Sequence, residues 1–223
     1  MKPVNYIKNN VLFNFQSEST NSKTGNTVQI FIIPLAWVIE GKILDDDTAV
    51  CFDCVHSRNK EKSCYVRKGH ANMGLGTKVR SLHKKLDTIG EYDDNILESI
   101  IKMCTGSVVR FGAYGEPVLL GEELVYLISK VAKGWLGYTH QWMRPEYRWS
   151  SAYFMASTET VLMTNLAIKL GFRPFFVTDD ISINGSVLCP ASKQAGRKTT
   201  CEKCLLCSGT SGKGKKGVNI PKH

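Results

Sequence analysis

The chain lacks any apolar run approaching the roughly 20 residues that a membrane-crossing helix needs. Its first ten residues, MKPVNYIKNN, contain no signal-peptide apolar stretch, so secretion is not expected and a cytoplasmic location is. No internal repeat is evident, which excludes solenoid and propeller architectures. Acidic residues are in short supply, 20 Asp and Glu against 29 Lys and Arg, leaving a formal charge of +9. Histidines number only five, and none stands in the His-hydrophobe-His spacing of a rolling-circle replication initiator. What is present is a chain of 223 residues, 43% hydrophobic and 22% charged, long enough for one substantial domain with a packed core and too apolar for general disorder.

The positive charge is concentrated. Residues 1–55 carry a net −2, 56–85 a net +8, 86–188 a net −4 and 189–223 a net +7. Each basic segment adjoins a group of cysteines: Cys51, Cys54 and Cys64 at the first, Cys189, Cys201, Cys204 and Cys207 at the second. Eight cysteines in a chain without a secretory signal point to metal or cluster binding before disulfides. Cys104 stands apart on a helical pattern and reads as a core thiol. Clustered Lys and Arg over 56–85 and 193–223 attract nucleic acid or another polyanion, and they also offset the charge of metal-bound thiolates.

Periodicity gives an alternating α/β pattern. VQIFIIPL (28–35) reads as a strand buried on both faces. Residues 76–104 read as two helices split near Gly90, the second capped by Asp93. VVRFG (108–112) is a strand, 122–133 a helix, WLGYT (135–139) and AYFMA (152–156) strands, and 159–170 a helix stopped by Gly171. PFFVT (174–178) and 186–188 are the last strands, and the Gly- and Lys-rich end reads as mobile. This alternation predicts an α/β fold: a partial (βα) barrel of about six mostly parallel strands over 1–188, with a cysteine-rich metal- or cluster-binding extension over 189–223. Polar and reactive residues follow the strand carboxyl ends, where parallel folds place their sites.

Cys189, Cys201, Cys204 and Cys207 form C-x11-C-x2-C-x2-C, a four-thiolate set for a [4Fe–4S] cluster or for zinc; the closing triplet and the Cys189-Pro190 pair favour the cluster. Cys51, Cys54 and Cys64 form C-x2-C-x9-C. Three thiolates either recruit a fourth protein ligand, with His56 and His70 nearest, or keep a coordination position open for chemistry.

The order of a strand, a three-cysteine loop, a helix and a second strand running into Tyr114-Gly115-Glu116-Pro117 resembles the radical S-adenosylmethionine enzymes. The resemblance implies a [4Fe–4S] cluster on Cys51, Cys54 and Cys64, S-adenosylmethionine on its fourth iron, and Glu116 with the Gly115 backbone facing the methionyl amine. It also implies an auxiliary cluster on the four later cysteines, with both cysteine groups at the same end of the sheet. That family usually spaces its cysteines C-x3-C-x2-C with an aromatic before the last, whereas Tyr65 here follows the last. His140 and Asp179 are then the catalytic candidates, with Gln141 and Asp180 beside them and Trp142 able to stack on a planar substrate.

A second resemblance covers most of the chain. Asn21-Ser22-Lys23-Thr24-Gly25, Ser63-Cys64-Tyr65, Gly137-Tyr138-Thr139-His140, Cys189-Pro190-Ala191, Thr200-Cys201-Glu202-Lys203-Cys204 and Leu206-Cys207 are similar to a phage- and plasmid-borne family of cysteine-rich proteins. This implies residence in a host cytoplasm. The alternative to an enzyme is a replication-associated nucleic-acid-binding protein whose metal sites are structural.

Overall fold

The computed structural model describes residues 1–17, 22–61, 63–64, 66, 69–178, 185–196 and 199–221, with the side chains of 69–73 outside that description. Its first sheet begins with β1 (Val4–Lys8) and β2 (Val11–Gln16), an antiparallel hairpin. The turn residues Asn9 and Asn10 both hold positive φ, 50° and 60°, a backbone that asparagine tolerates and that matches the twist of the flanking strands. β2 pairs antiparallel with β3 (Val28–Pro34), whose other edge pairs in parallel with β4 (Val108–Tyr114). The parallel strand β5 (Gly134–Leu136) completes the order β1-β2-β3-β4-β5.

β3 is β-branched and buried along nearly its whole length because both of its faces are covered. Between β3 and β4 run two short helices, α1 (Leu35–Ile39) and α2 (Thr48–Cys51), then α3 (Gly69–His83) and α4 (Asp94–Cys104). The Asp93 carboxylate caps α4 by accepting the amide of Ile96 at 2.8 Å. After β4, a 3-10 turn (Pro117–Leu120) leads to α5 (Glu122–Val131). Trp37, Ile32, Phe111, Val125 and Ile128 sit in one continuous buried core with Cys104, whose thiol burial pushes up to about 12.

At Gly137 the chain leaves the first sheet. A Cβ there would stand 3.1 Å from Phe111 and Phe154, tighter than ordinary contact, so glycine lets these two side chains close over the bend. The next strand, β6 (Tyr138–Thr139), opens a second sheet with β7 (Met155–Thr158), β8 (Pro174–Val177), β9 (Ser186–Leu188) and β10 (Gly217–Ile220), in the order β6-β7-β8-β10-β9 and parallel throughout. α6 (Val161–Lys169) lies between β7 and β8, and α7 (Cys201–Cys204) between β9 and β10.

The expected partial barrel of about six mostly parallel strands is therefore corrected to two five-stranded sheets, one mixed and one parallel, and no barrel closes among the described residues. Two features account for the difference. The hairpin adds antiparallel strands at one edge, and Gly137 splits what reads as a single strand over 135–139 between two sheets. The mobile tail is corrected as well: Val218, Asn219 and Ile220 are buried in β10, between β8 and β9. No helix of the described residues is long and apolar enough to cross a membrane.

One lysine is held beneath the first sheet. Lys78 on α3 donates to Asn14 Oδ1 at 2.9 Å and to Gln16, over the ring of Phe31 at 4.2 Å, and burial lowers its pKa from 10.5 to about 8. Between those values the unfolded chain keeps the lysine proton and the folded chain loses it, so this residue makes stability rise with pH. The unfolding free energy of wild type minus that of Lys78→Met should rise by about 1 kcal/mol per pH unit between pH 8 and 10 in urea titrations. A difference that stays flat over that range overturns the assignment.

Candidate metal centres

Asp47 organises the first cysteine loop. It is buried, and its carboxylate accepts the amide of Arg58 at 3.0 Å and the hydroxyl of Tyr114 at 3.2 Å. Its carbonyl accepts the amide of Cys51 at 2.8 Å. The Cys54 amide donates to the Cys51 carbonyl and the Cys64 amide to the His56 carbonyl, which folds C-x2-C-x9-C into one compact loop. The turn between the first two cysteines requires Phe52 at φ 51°, a strained backbone held by the Arg144 guanidinium over its ring at 5.1 Å.

The end of β4 meets this loop. Gly115, at φ 78°, approaches β3 so closely that a Cβ would stand 2.5 Å from the Ile32 carbonyl oxygen. The Glu116 amide donates to the Val50 carbonyl at 2.8 Å. The Glu116 carboxylate, 4% exposed, accepts from Thr139 Oγ1 at 2.6 Å, from the His140 amide at 3.1 Å and from His140 Nδ1 at 3.0 Å. Three donors on a carboxylate with about four acceptor positions leave room for one more.

Electrostatically the loop is short of positive charge. Burial, then Asp47, Glu116 and the neighbouring cysteines, push the Cys51 thiol far up, and burial is also the largest effect raising Cys64. Burial alone would depress the His140 imidazole, but the neighbouring Cys54 and Glu116 outweigh it and hold the ring well above the ordinary histidine range. For Cys51 and Cys64 this favours the neutral thiol, and a bound cation is what would make them thiolates. The donor set thus fits a metal centre on chemistry.

The second group is laid out differently. Cys189 follows β9, and its amide donates to the Asn219 carbonyl of β10. Cys201 donates its amide to Lys23 and Glu202 to Thr24, in the segment leading into β3. Cys207 gives its carbonyl to Gly137, at the strand switch. Cys189, Cys201 and Cys204 act on one another's charge and on that of Cys207, whose thiol burial raises furthest of the set. The surrounding shell is apolar, with Leu136, Ala191, Leu205 and Val218. The buried Arg173 guanidinium donates to the carbonyls of Leu206, Ser208 and Lys216 and fixes the loop.

All eight cysteines are free thiols. Among the described residues no three of their sulfurs all lie within 4.8 Å of one another. A single tetrahedral ion at about 2.3 Å from each sulfur would draw the sulfurs to roughly 3.8 Å apart.

Cys51, Cys54, Cys64, Gly115, Glu116 and His140 are thus brought together at the carboxyl ends of β3, β4 and β6. Cys189, Cys201, Cys204 and Cys207 converge elsewhere. The expectation that both groups share one end of the sheet is corrected: the first sits beyond Tyr114 at one end of β4, whereas Leu205 packs on Val108 at the other. Trp142 is fully buried, with its indole N–H donating to the Ser157 carbonyl at 2.8 Å, so it stacks on no substrate. Gln141 is buried too. Asp179, Asp180, Tyr65 and the side chain of His70 lie outside the described residues. Sequence reasoning missed Asp47, Arg173 and Glu159; the last directly follows β7, the same strand-end position that marked His140 after β6.

Comparison with protein-family models, with curated proteins and with solved structures finds no match to this chain.

Replacing Cys204 by Ser should release the C-terminal centre's metal and lower the melting temperature by several degrees, because thiolate ligation couples binding to folding. Arg173→Met, which orphans several carbonyls, should cost about 3 kcal/mol in denaturant titrations while the first centre keeps its metal. Unchanged metal content and melting temperature in Cys204→Ser would sink the C-terminal assignment.

Proposed function

We propose that the chain is an iron–sulfur enzyme of radical S-adenosylmethionine type, with its reactive centre on Cys51, Cys54 and Cys64. The observation that carries this reading is the gathering of Cys54, Cys64 and the Glu116 carboxylate around Cys51 at the carboxyl ends of parallel strands. A three-thiolate [4Fe–4S] cluster supplies, when bound, one electron for cleaving the sulfonium carbon–sulfur bond of S-adenosylmethionine. The chain does the rest. The three cysteines hold the cluster and leave one iron for the cofactor. The close approach of Gly115 to β3 keeps that edge narrow, and Glu116 offers its remaining acceptor position to the methionyl ammonium. Thr139 and His140 fix the carboxylate in place, which lowers the cost of ordering it on binding. The four-thiolate centre at the far end of β4 is structural: every thiol is used, and it joins the segment before β3, the strand switch at Gly137 and β9–β10.

A second reading, nucleic-acid binding, is favoured by one observation. Lys133, Lys213, Ser208 and Ser211 surround Trp135 in a cavity of about 280 Å³, and the Trp135 indole is held by its bond to the Tyr153 carbonyl at 3.0 Å. A fixed aromatic ring rimmed by lysines suits a stacked base and its phosphate. The two readings combine if the substrate is a nucleic acid.

Anaerobic reconstitution should give iron and sulfide in equal amounts, and dithionite with S-adenosylmethionine should yield methionine and 5′-deoxyadenosine. Glu116→Gln should weaken S-adenosylmethionine binding by about tenfold or more in calorimetry, the equivalent of one charge-assisted hydrogen bond, with iron content unchanged. Protein loaded with cluster that binds no S-adenosylmethionine at millimolar concentration overturns the enzyme reading.

A further inference from the structure

Beside the three-cysteine loop, and made of different donors, lies a group whose facing Nε2 and carboxylate atoms neither cysteine centre uses. His140 and Glu159 are the residues that directly follow the adjacent parallel strands β6 and β7, while His56 comes from the cysteine loop. Glu159 Oε1 stands 3.3 Å from His56 Nε2 and 3.7 Å from His140 Nε2. All three ligand atoms lie within 4.8 Å of one another. We propose that His56, His140 and Glu159 bind a single divalent transition-metal ion through two imidazole nitrogens and one carboxylate oxygen.

Three independent features support this. The first is distance. An ion about 2.1 Å from each donor requires donors roughly 3.0–3.4 Å apart, in octahedral or tetrahedral geometry respectively; Glu159 stands within a few tenths of an ångström of that range from both imidazoles, and the two imidazole nitrogens lie within 4.8 Å of each other. The second is the outer shell. His140 Nδ1 faces Glu116 Oε1 at 3.0 Å and His56 Nδ1 faces Ser63 Oγ at 2.6 Å. Glu116 accepts a proton from His140 Nδ1, so the proton a metal would displace is the one on Nε2, the nitrogen that faces the shared point, and Ser63 holds the His56 ring from its other nitrogen; histidines that ligate metals are oriented in this way. The third is an unmet need: His140 Nε2 is shielded from solvent and has no hydrogen-bond partner. A buried ring nitrogen without a partner costs free energy, and a metal bond would satisfy it.

Two histidines and one carboxylate leave coordination positions open and suit iron(II), manganese(II) or zinc, whereas a closed structural site would use four protein ligands. The site borders the three-cysteine loop, since the His140 ring also meets Cys54. It differs from both cysteine centres in having only nitrogen and oxygen donors. That difference makes manganese(II) the discriminating probe, because thiolates select softer ions.

The test uses the full chain after anaerobic cluster reconstitution, titrated with manganese(II) and followed by the six-line electron paramagnetic resonance signal of the free ion. The expected result is one manganese per chain at micromolar affinity. Glu159→Gln, nearly isosteric, should weaken it at least tenfold, and Ser63→Ala should weaken it by about tenfold through the orientation of His56. Near-UV circular dichroism and iron content, measured on the same samples, should match wild type. No saturable binding up to millimolar manganese, or equal binding by wild type and a folded Glu159→Gln, overturns the proposal and leaves only a carboxylate–imidazole ion pair. Absent manganese binding with iron and sulfide present overturns this site alone. Manganese binding without iron or sulfide upholds it and overturns the cluster reading.

Discussion

The amide of Glu116 donates to the carbonyl of Val50, and that bond holds the cysteine loop against the end of β4. It depends on Gly115, because a side chain there would drive β4 away from Ile32. It also sets the carboxylate of Glu116 beneath Thr139 and His140, which come from the other sheet. One residue therefore fixes the loop through its backbone and the start of the second sheet through its side chain. The Asp47 network supports the same loop from the opposite direction, joining Arg58 and Tyr114.

Burial of the cysteines and charge on the cysteines pull against each other. An apolar, dry surrounding favours the neutral thiol, and carboxylates beside the first group favour it further. Neutral thiols tolerate that environment, whereas thiolates in it need a cation beside them. Two of the three C-x2-C turns, 51–54 and 204–207, share a further cost. Phe52 and Leu205, each directly after the first cysteine of its pair, both hold positive φ, at 51° and 54°. Large side chains rarely adopt that backbone, and here packing against Arg144 in one case and Val108 in the other sustains it.

Much of this was legible in the residues. The apolar β-branched run at 28–34, the Asp93 cap and the helix broken before Gly171 follow from local chemistry alone. So do the two cysteine groups and the placing of Glu116 and His140 at strand ends. Other features were not legible, for identifiable reasons. The hairpin at the start was signalled by Asn9-Asn10 between alternating residues, but its strands carry buried polar positions such as Asn14 that blur the pattern. β10 offers only Val218 and Ile220 as apolar residues in a Gly- and Lys-rich stretch; its identity as a central strand comes from neighbours more than 25 residues away in sequence. Arg173 has no local signature at all, since its role is to gather carbonyls from a loop some 35 residues later.

The position of β10 bears on how the molecule comes into being. It lies between β8 and β9 although both precede it in the chain, so neither can pair with the other in the finished sheet. As the polypeptide leaves the ribosome, the first sheet can close on its own residues, whereas the second waits for 217–220 with two strand edges uncovered. The four later cysteines emerge before that strand does, with no completed sheet beneath them. Cysteine group and sheet thus both wait on the same late strand, without which β8 and β9 each keep an uncovered edge.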